Sequence, residues 1–491
     1  MKVGGVFLQT AMLQAVRLVS GVCRAKLIAL YLGPAGVGIF AQAQYLQSLI
    51  LAVGSLSLGT GYIQRMRALS GRYSEEYYRQ VHGTVFYTLL ASVLALLLGL
   101  TPFLPWIERI TFAGTVTPGF SAFVLWSVPL LALAQIYFES RLISSDRYGD
   151  YVKATCLTSI LSVFVLWLLL GNVEGWALSL YLMGISAFSC LILAYFTYRN
   201  CGKEALLPSL HWKWSHFRPI MKVSVALVIS GIAFYGTAVW LRALVLKHLG
   251  AEYAGFIQVP IVVSGYYAPL LSQIIWNVYH VRLSESSHKA QITKILAASI
   301  TFVATLQPLI AIWIMAFPGL AVGLIYTWEF RHGINTFPIQ FLGDFFYFLL
   351  TVLSVQILAQ NRIRLYIALW LVFSAVEFAA GTYFILEHKL ALRSLAMAYF
   401  TASALTTFLF FWPAMGEFWK FSKSAFWLSK KACLVGLGFL ALQAQLLRVD
   451  ADFSSRFLVA CIYTLIVLAV IWRRRTPLWR SRWRELIYGE S

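Results

Sequence analysis

YLGPAGVGIF (residues 31–40) and HLGAEYAGFI (residues 248–257) share a Leu-Gly pair and a second glycine five residues on, at an offset of 217. Each closes one long apolar run and opens the next. The same offset carries Tyr62 and Arg65 onto Tyr279 and Arg282. At an offset of 215, Arg147 and Tyr151 in SDRYGDY match Arg362 and Tyr366 in QNRIRLY. A repeat sets the architecture before any motif does. These matches fall at equivalent points of two successive six-helix sets, so they read as a duplicated unit. Because six is even, both copies start on the same side of the membrane. That makes a parallel repeat with a pseudo-two-fold axis along the membrane normal.

The composition agrees. Of 491 residues, 60% are hydrophobic and 12% charged, and the mean hydropathy is +0.75, which fits a polytopic membrane protein and not a soluble one. Apolar runs predict about fourteen transmembrane helices, from 5–32 and 36–61 at the start to 432–448 and 455–472 at the end. The fold expected is therefore all-α. Residues 1–198 make a first six-helix lobe, 199–222 a linker along the cytoplasmic surface, and 223–413 a second lobe. Two additional helices fill 414–472, and 473–491 is a basic cytoplasmic tail.

A net charge of +20 suits a nucleic-acid binder only in a soluble chain. Here most Lys and Arg sit in loops on the side that holds both termini, which the positive-inside rule makes cytoplasmic. No nucleic-acid partner is expected. The first apolar run is too long for a signal peptide and lacks a small-residue cleavage site, so it is expected to stay. The cysteines show no CxxC or CxxxH spacing, and neither a disulfide, a metal nor a cofactor is read from them. In the tail, Trp479, Trp483 and Leu486 recur at helical spacing among arginines, the pattern of an anchor on anionic membrane lipids.

Four cations fall inside spans: Arg17, Arg24, Lys26 and Arg242. Each costs about 2.5–3.5 kcal/mol at a helix centre, so they need a reason. Steps of three and four along the first helix give Thr10, Gln14, Arg17, Gly21, Arg24 and Tyr31, with Ile28 the one apolar member, a polar stripe on one face. Lys26 lies nearly opposite and can snorkel to the outer interface. Arg242 stands eight residues before Gly250 and Arg24 nine before Gly33, which puts both about 12–14 Å below the outer helix ends. Equal depth in the two repeats suggests one cationic cavity. Gln42, Gln44, Gln47, Ser48, Gln258, Ser264 and Ser272 are candidates for its walls, or for hydrogen-bonding glue between helices.

No acid stands out as a partner for these arginines. Glu139 and Asp344 lie near helix ends, where a solvated role is open to them, and Glu377 lies midway along its span. Asp344 and Glu377 are the candidates for ion coupling. A cavity lined by guanidinium groups suits an anion, because the planar fork binds phosphate oxygens two at a time.

LIALYLGPAGVGIFAQ, WLRALVLKHLGAEYAGFIQ and FPIQFLGDFFYFLLTVLSVQILAQNRIRLYI together resemble the polysaccharide flippases of the multidrug/oligosaccharidyl-lipid/polysaccharide exporter superfamily, of the O-antigen and enterobacterial-common-antigen type. The resemblance covers residues 1 to about 415. Its most specific part is the last stretch, with Gly343-Asp344 opening a helix and a basic loop with an aromatic after it. It implies twelve core helices in two rocking lobes, an undecaprenyl-pyrophosphate-linked glycan as substrate, and Arg24 and Arg242 on the pyrophosphate with Arg17 deeper. It further implies a bacterial inner membrane and, as partners, a polysaccharide polymerase and chain-length proteins. VYHVRL (278–283) replaces a Leu-Pro that the family carries, and the last two helices exceed its twelve.

A drug antiporter on the same fold would line its cavity with acids, which these arginines oppose. A glycan polymerase or ligase would need a sizeable external loop, which is missing here. The Asp450–Asp452 DxD lies on a short loop and reads as solvated surface. No GxxxxGK, HExxH or GxSxG occurs, so ATP hydrolysis, zinc chemistry and a hydrolase elbow have no support, and no enzyme activity is expected.

Overall fold

The computed structural model describes residues 3–69, 75–114, 120–145, 147–172, 177–202, 211–280, 282–283, 288–387, 392–415, 423–449 and 451–473. Among the described residues every regular element is helical, and ten helices are long and apolar enough to cross a membrane. The protein is an all-α, multi-pass membrane protein, as backbone satisfaction in lipid demands. The expected linker's centre (203–210), Asp450, and the tail from 474 onward lie outside the described residues. By its internal contacts the chain forms two compact units, Leu8–Gly255 and Met1–Phe7 with Phe256–Ser491.

The first unit is built on α1 (Val3–Gly54), a single rod bent at Gly33, whose φ of 62° puts it in the left-handed region. Pro34 follows the bend, where its missing N–H costs nothing at the start of a new helical stretch. The two spans expected at 5–32 and 36–61 are thus joined by one kinked residue. The second stops early. At 55–57 the backbone turns, with Leu56 at φ 46° and Ser57 at φ 48°, before α2 (Leu58–Leu69) begins. Serines carry the freed backbone groups: Ser92 donates to Gly54 O at 2.5 Å, Ser224 to Ser57 O at 3.2 Å, and Ser57 N–H donates to Ser55 Oγ at 3.2 Å.

Then come α3 (Glu75–Leu100), α4 (Leu104–Phe112), α5 (Phe120–Ser144), α6 (Tyr148–Asn172), α7 (Ala177–Cys201), α8 (Trp214–His248) and the start of α9 (Ala251–Ile274). Tyr62, Val85, Leu89, Leu133, Tyr137 and Ile220 make a core shared by α2, α3, α5 and α8. Short α4 was not expected from hydropathy. It packs on α8 and buries Thr111 and Phe112.

The two copies of the repeated motif touch, and they do so reciprocally. A Cβ on Gly38 would lie 2.6 Å from Ala251 O, and one on Gly255 would lie 2.0 Å from Pro34 O. At the offset of 217, Pro34 corresponds to Ala251 and Gly38 to Gly255. Each glycine therefore sits on the helix start of the other copy, the signature of a local two-fold. Close backbone approach is what requires glycine here.

In the second unit, α10 (Lys289–Ala316) is followed by α11 (Phe337–Ala359), α12 (Ile363–Leu386), α13 (Ser394–Met415), α14 (Lys423–Arg448) and α15 (Phe453–Arg473) as its long helices. The last two pack on α10. Gly436 lets α14 approach Ala304, the Gln443 amide donates to Ile312 O at 3.4 Å, and Trp313 Nε1 donates to Thr464 Oγ1 at 3.0 Å. Gly343 likewise lets α11 approach Tyr399 of α13.

Candidate functional site

Arg17, Arg24 and Arg242 all belong to the first unit. The polar stripe of α1 meets tyrosines. Thr10 Oγ1 lies 2.9 Å from the Tyr148 hydroxyl, and Arg17 Nη2 donates to the Tyr151 hydroxyl at 3.3 Å. Seven residues on, two turns along the same face, Arg24 Nη1 donates to the Tyr181 hydroxyl of α7 at 3.2 Å, and its Nε donates to Ser20 O at 3.3 Å. Leu13 anchors this face against Val152 and Cys156 of α6. Gln14 is buried beside it, and its amide nitrogen has no hydrogen-bond acceptor.

Arg242 is held differently. It is 6% exposed, and its Cζ lies 4.1 Å above the ring of Tyr45. Three residues before Tyr45 on α1, buried Gln42 donates from Nε2 to Val239 O at 3.1 Å and to Thr111 O at 2.9 Å. Gln42 thus ties α1, α4 and α8 together at the level of Arg242, while its Oε1 has no donor. A cation–π contact is worth roughly 2 kcal/mol when desolvated. Taking a guanidinium out of water costs several. The ring thus offsets only part of the cost of burying Arg242.

The arginines are brought to one unit but not to one partner. Tyr181, which holds Arg24, also packs against Phe40 at 6.1 Å between ring centroids. Phe40 and Tyr45 are five residues apart on α1, about 140° around the helix. Tyr181 and Arg242 thus meet different faces of the stretch of α1 beyond Gly33. Arg17 also has an acid within electrostatic reach, Glu139 of α5, whose Oε1 accepts from Gln135 Nε2 at 3.3 Å. That corrects the expectation that no acid faces these cations. Among the described residues neither Arg24 nor Arg242 has an acid partner.

In the second unit, Asp344 is not solvated as its place near a helix end suggested. It is 3% exposed, and its Oδ2 accepts from Ser264 at 2.6 Å and from the Tyr267 hydroxyl, while Oδ1 accepts from Gln340 Nε2 at 3.2 Å. The Tyr399 hydroxyl adds a further bond. Ser264, expected to line a cavity, serves this carboxylate. Gln258 is buried on α9 with Oε1 lacking a donor, and Glu377 is half-buried midway along α12.

Sequence reasoning missed Tyr45, Tyr181, Tyr267 and Tyr399 as partners. A tyrosine in a membrane chain reads as an interfacial belt residue, so nothing local flagged these four. Tyr151 had one signal, its match to Tyr366 in the repeat.

No protein-family model matches the chain, and no curated protein matches its sequence. Solved structures do match. The fold is that of multi-helix membrane transporters. The lipid II flippase MurJ in its inward closed conformation aligns with a TM-score of 0.64 at 14% identity, over 95% of this chain and 98% of that one. An inward-facing multidrug resistance MATE family transporter of the MOP superfamily aligns at 0.60 and 12%, over 86% and 100%. The MATE multidrug transporter DinF-BH aligns at 0.58 and 15%, over 85% and 96%. At these identities the likeness establishes the fold.

Proposed function

We propose that this protein flips an undecaprenyl-pyrophosphate-linked oligosaccharide from the cytoplasmic to the outer leaflet of a bacterial inner membrane by alternating access. Arg24 and Arg242 take the pyrophosphate, and Arg17 stands deeper along the same stripe of α1. Gln14 and Gln42, in the same unit as the arginines, offer buried amides with unused hydrogen-bonding atoms to the polar part of the substrate. The glycan is of the O-antigen or enterobacterial-common-antigen type, so the product feeds a polymerase with its chain-length partner in lipopolysaccharide or polysaccharide biosynthesis. Both termini are cytoplasmic.

The observation that carries this reading is the choice of partner at the arginines. Arg24 and Arg242 are held by tyrosines, which fix the guanidinium without cancelling its charge. A carboxylate would have neutralised it. In a water-poor setting an uncancelled guanidinium binds a multiply charged phosphate strongly. A host lacking its own flippase should regain surface glycan with the wild-type chain and not with the Arg24→Ala/Arg242→Ala double variant. Restored display by that inserted double variant would sink the proposal.

A drug antiporter is the second reading, favoured by the fold shared with MATE drug transporters and by the buried Asp344. Coupling of transport to a cation through Asp344 or Glu377 is compatible with either cargo. The two readings part on the arginines: drug resistance conferred by the chain and insensitive to Arg242→Ala would favour the antiporter.

A further inference from the structure

The start of α8 carries a basic and aromatic cluster that the transport reading does not use. HWKWSHFRPIMK (211–222) contains no acid, and the apolar span of α8 begins just after it, at Ser224. The segment is clamped to a polar ladder on α3 formed by Gln80, Thr84 and Thr88. Lys213 Nζ donates to Gln80 Oε1 at 2.9 Å, Lys213 N–H to Thr84 Oγ1 at 3.2 Å, and Trp212 Nε1 to Thr88 Oγ1 at 3.0 Å. His216 is 5% exposed, with Nδ1 lacking a partner, and packs edge-on against Tyr77. Tyr77 in turn accepts a hydrogen bond from Arg65. The imidazole is held below its usual pKa first by burial and then by the neighbouring Lys213 and Arg65 cations. One acid at its edge among the described residues is exposed Glu76, engaged by the Gln80 amide.

Trp212 and Trp214 are 51% and 60% exposed, and with Phe217 they form a ring cluster with centroids 5.2–6.1 Å apart. Trp214, Arg218 and Lys222 recur every fourth residue on an exposed face. Indoles at the head of a membrane span settle at the headgroup level. Cations beside them at that depth attract anionic lipid. We infer that the start of α8, through Lys213 and Arg218 flanked by Trp214, is a binding site for the headgroup of an anionic phospholipid, which sets the depth of α8 in the membrane. The inference stands apart from the flippase reading and from the arginines that serve it. Arg242 lies 24 residues beyond Arg218 on the same helix, about 36 Å away.

The test uses the full chain in phosphatidylcholine nanodiscs titrated with phosphatidylglycerol, read by native mass spectrometry and by the melting temperature. The Lys213→Gln/Arg218→Gln variant should bind phosphatidylglycerol at least about tenfold more weakly, from the loss of two interfacial charges. In pure phosphatidylcholine it should melt only slightly below wild type, by the one exposed Lys213–Gln80 bond it loses. The charge-keeping Lys213→Arg/Arg218→Lys variant should bind as wild type does, which keeps the test alive if the first variant fails to fold. Equal binding by the neutralised variant overturns the site. Displacement of the lipid effect by millimolar inorganic phosphate also overturns it, because the cluster would then be a free-phosphate site.

Discussion

Arg242 in the first unit and Asp344 in the second are both buried charges, neither with a counter-ion among the described residues, and they are treated in opposite ways. Asp344 is saturated: two tyrosine hydroxyls, a serine and a glutamine all donate to it. Arg242 has the face of one ring. Neutral dipoles can satisfy a carboxylate, since every lone pair can find a donor. A guanidinium has five N–H donors, and one π face satisfies none of them by hydrogen bonding. The carboxylate is finished within the fold, whereas the guanidinium is left with donors to offer.

The sharpest way to break this contrast is to remove the unfinished charges. Arg242→Ala and Arg24→Ala should each lower glycan display on the order of 100-fold while the protein still reaches the membrane, as losing a charge-assisted bond to phosphate predicts. Arg242→Lys should recover only part of it, because an ammonium lacks the fork. Display assays with membrane fractionation read both.

Asp344 should show the reverse balance, a stability effect larger than its effect on anion binding. Asp344→Ala strands three or more buried donors and should cost about 3 kcal/mol or more, seen as a fall in melting temperature. Asp344→Asn keeps half of those bonds and should cost about 1 kcal/mol. If ion dependence of transport survives Asp344→Asn unchanged, Asp344 is structural and coupling lies elsewhere, with Glu377 next to be tested.

Finer still are the tyrosines. Tyr45→Ala should loosen Arg242 by about 1–2 kcal/mol, whereas Tyr45→Phe should change little because the ring is what the cation uses. Tyr181→Phe should do the opposite at Arg24, where the hydroxyl is what matters, at about 1 kcal/mol. Lys26→Ala should be the mildest change, below about twofold in display, because its charge is expected at the interface.

Much of the architecture was legible because it is written in residues with few other uses. The Leu-Gly pairs mark helix junctions at Gly33 and Gly250, both with positive φ, and the arginines inside apolar spans stand out by their cost in lipid. What stayed hidden depends on tertiary partners. The break at 55–57 places Leu56 and Ser57 at positive φ, a conformation no propensity assigns to leucine, and it is held by Ser92 and Ser224 from other helices. The partners of the charges are tyrosines, whose many roles in a membrane chain conceal any one of them. The stripe on α1 gave no sign that two separate tyrosines, Tyr181 and Tyr45, would hold Arg24 and Arg242.

The reciprocal contact between Gly38 and Gly255 also has a consequence for how this sequence can change over time. In a single-copy protein that paired with itself, one substitution at that glycine would be felt at both ends of the contact. In this chain the two positions are separate, yet a methyl at either one meets backbone and not a side chain that could move aside. Neither copy can compensate for the other. The pair should persist as glycines while the surrounding repeats drift beyond recognition, as residues 31–40 and 248–257 already have everywhere except at these few positions.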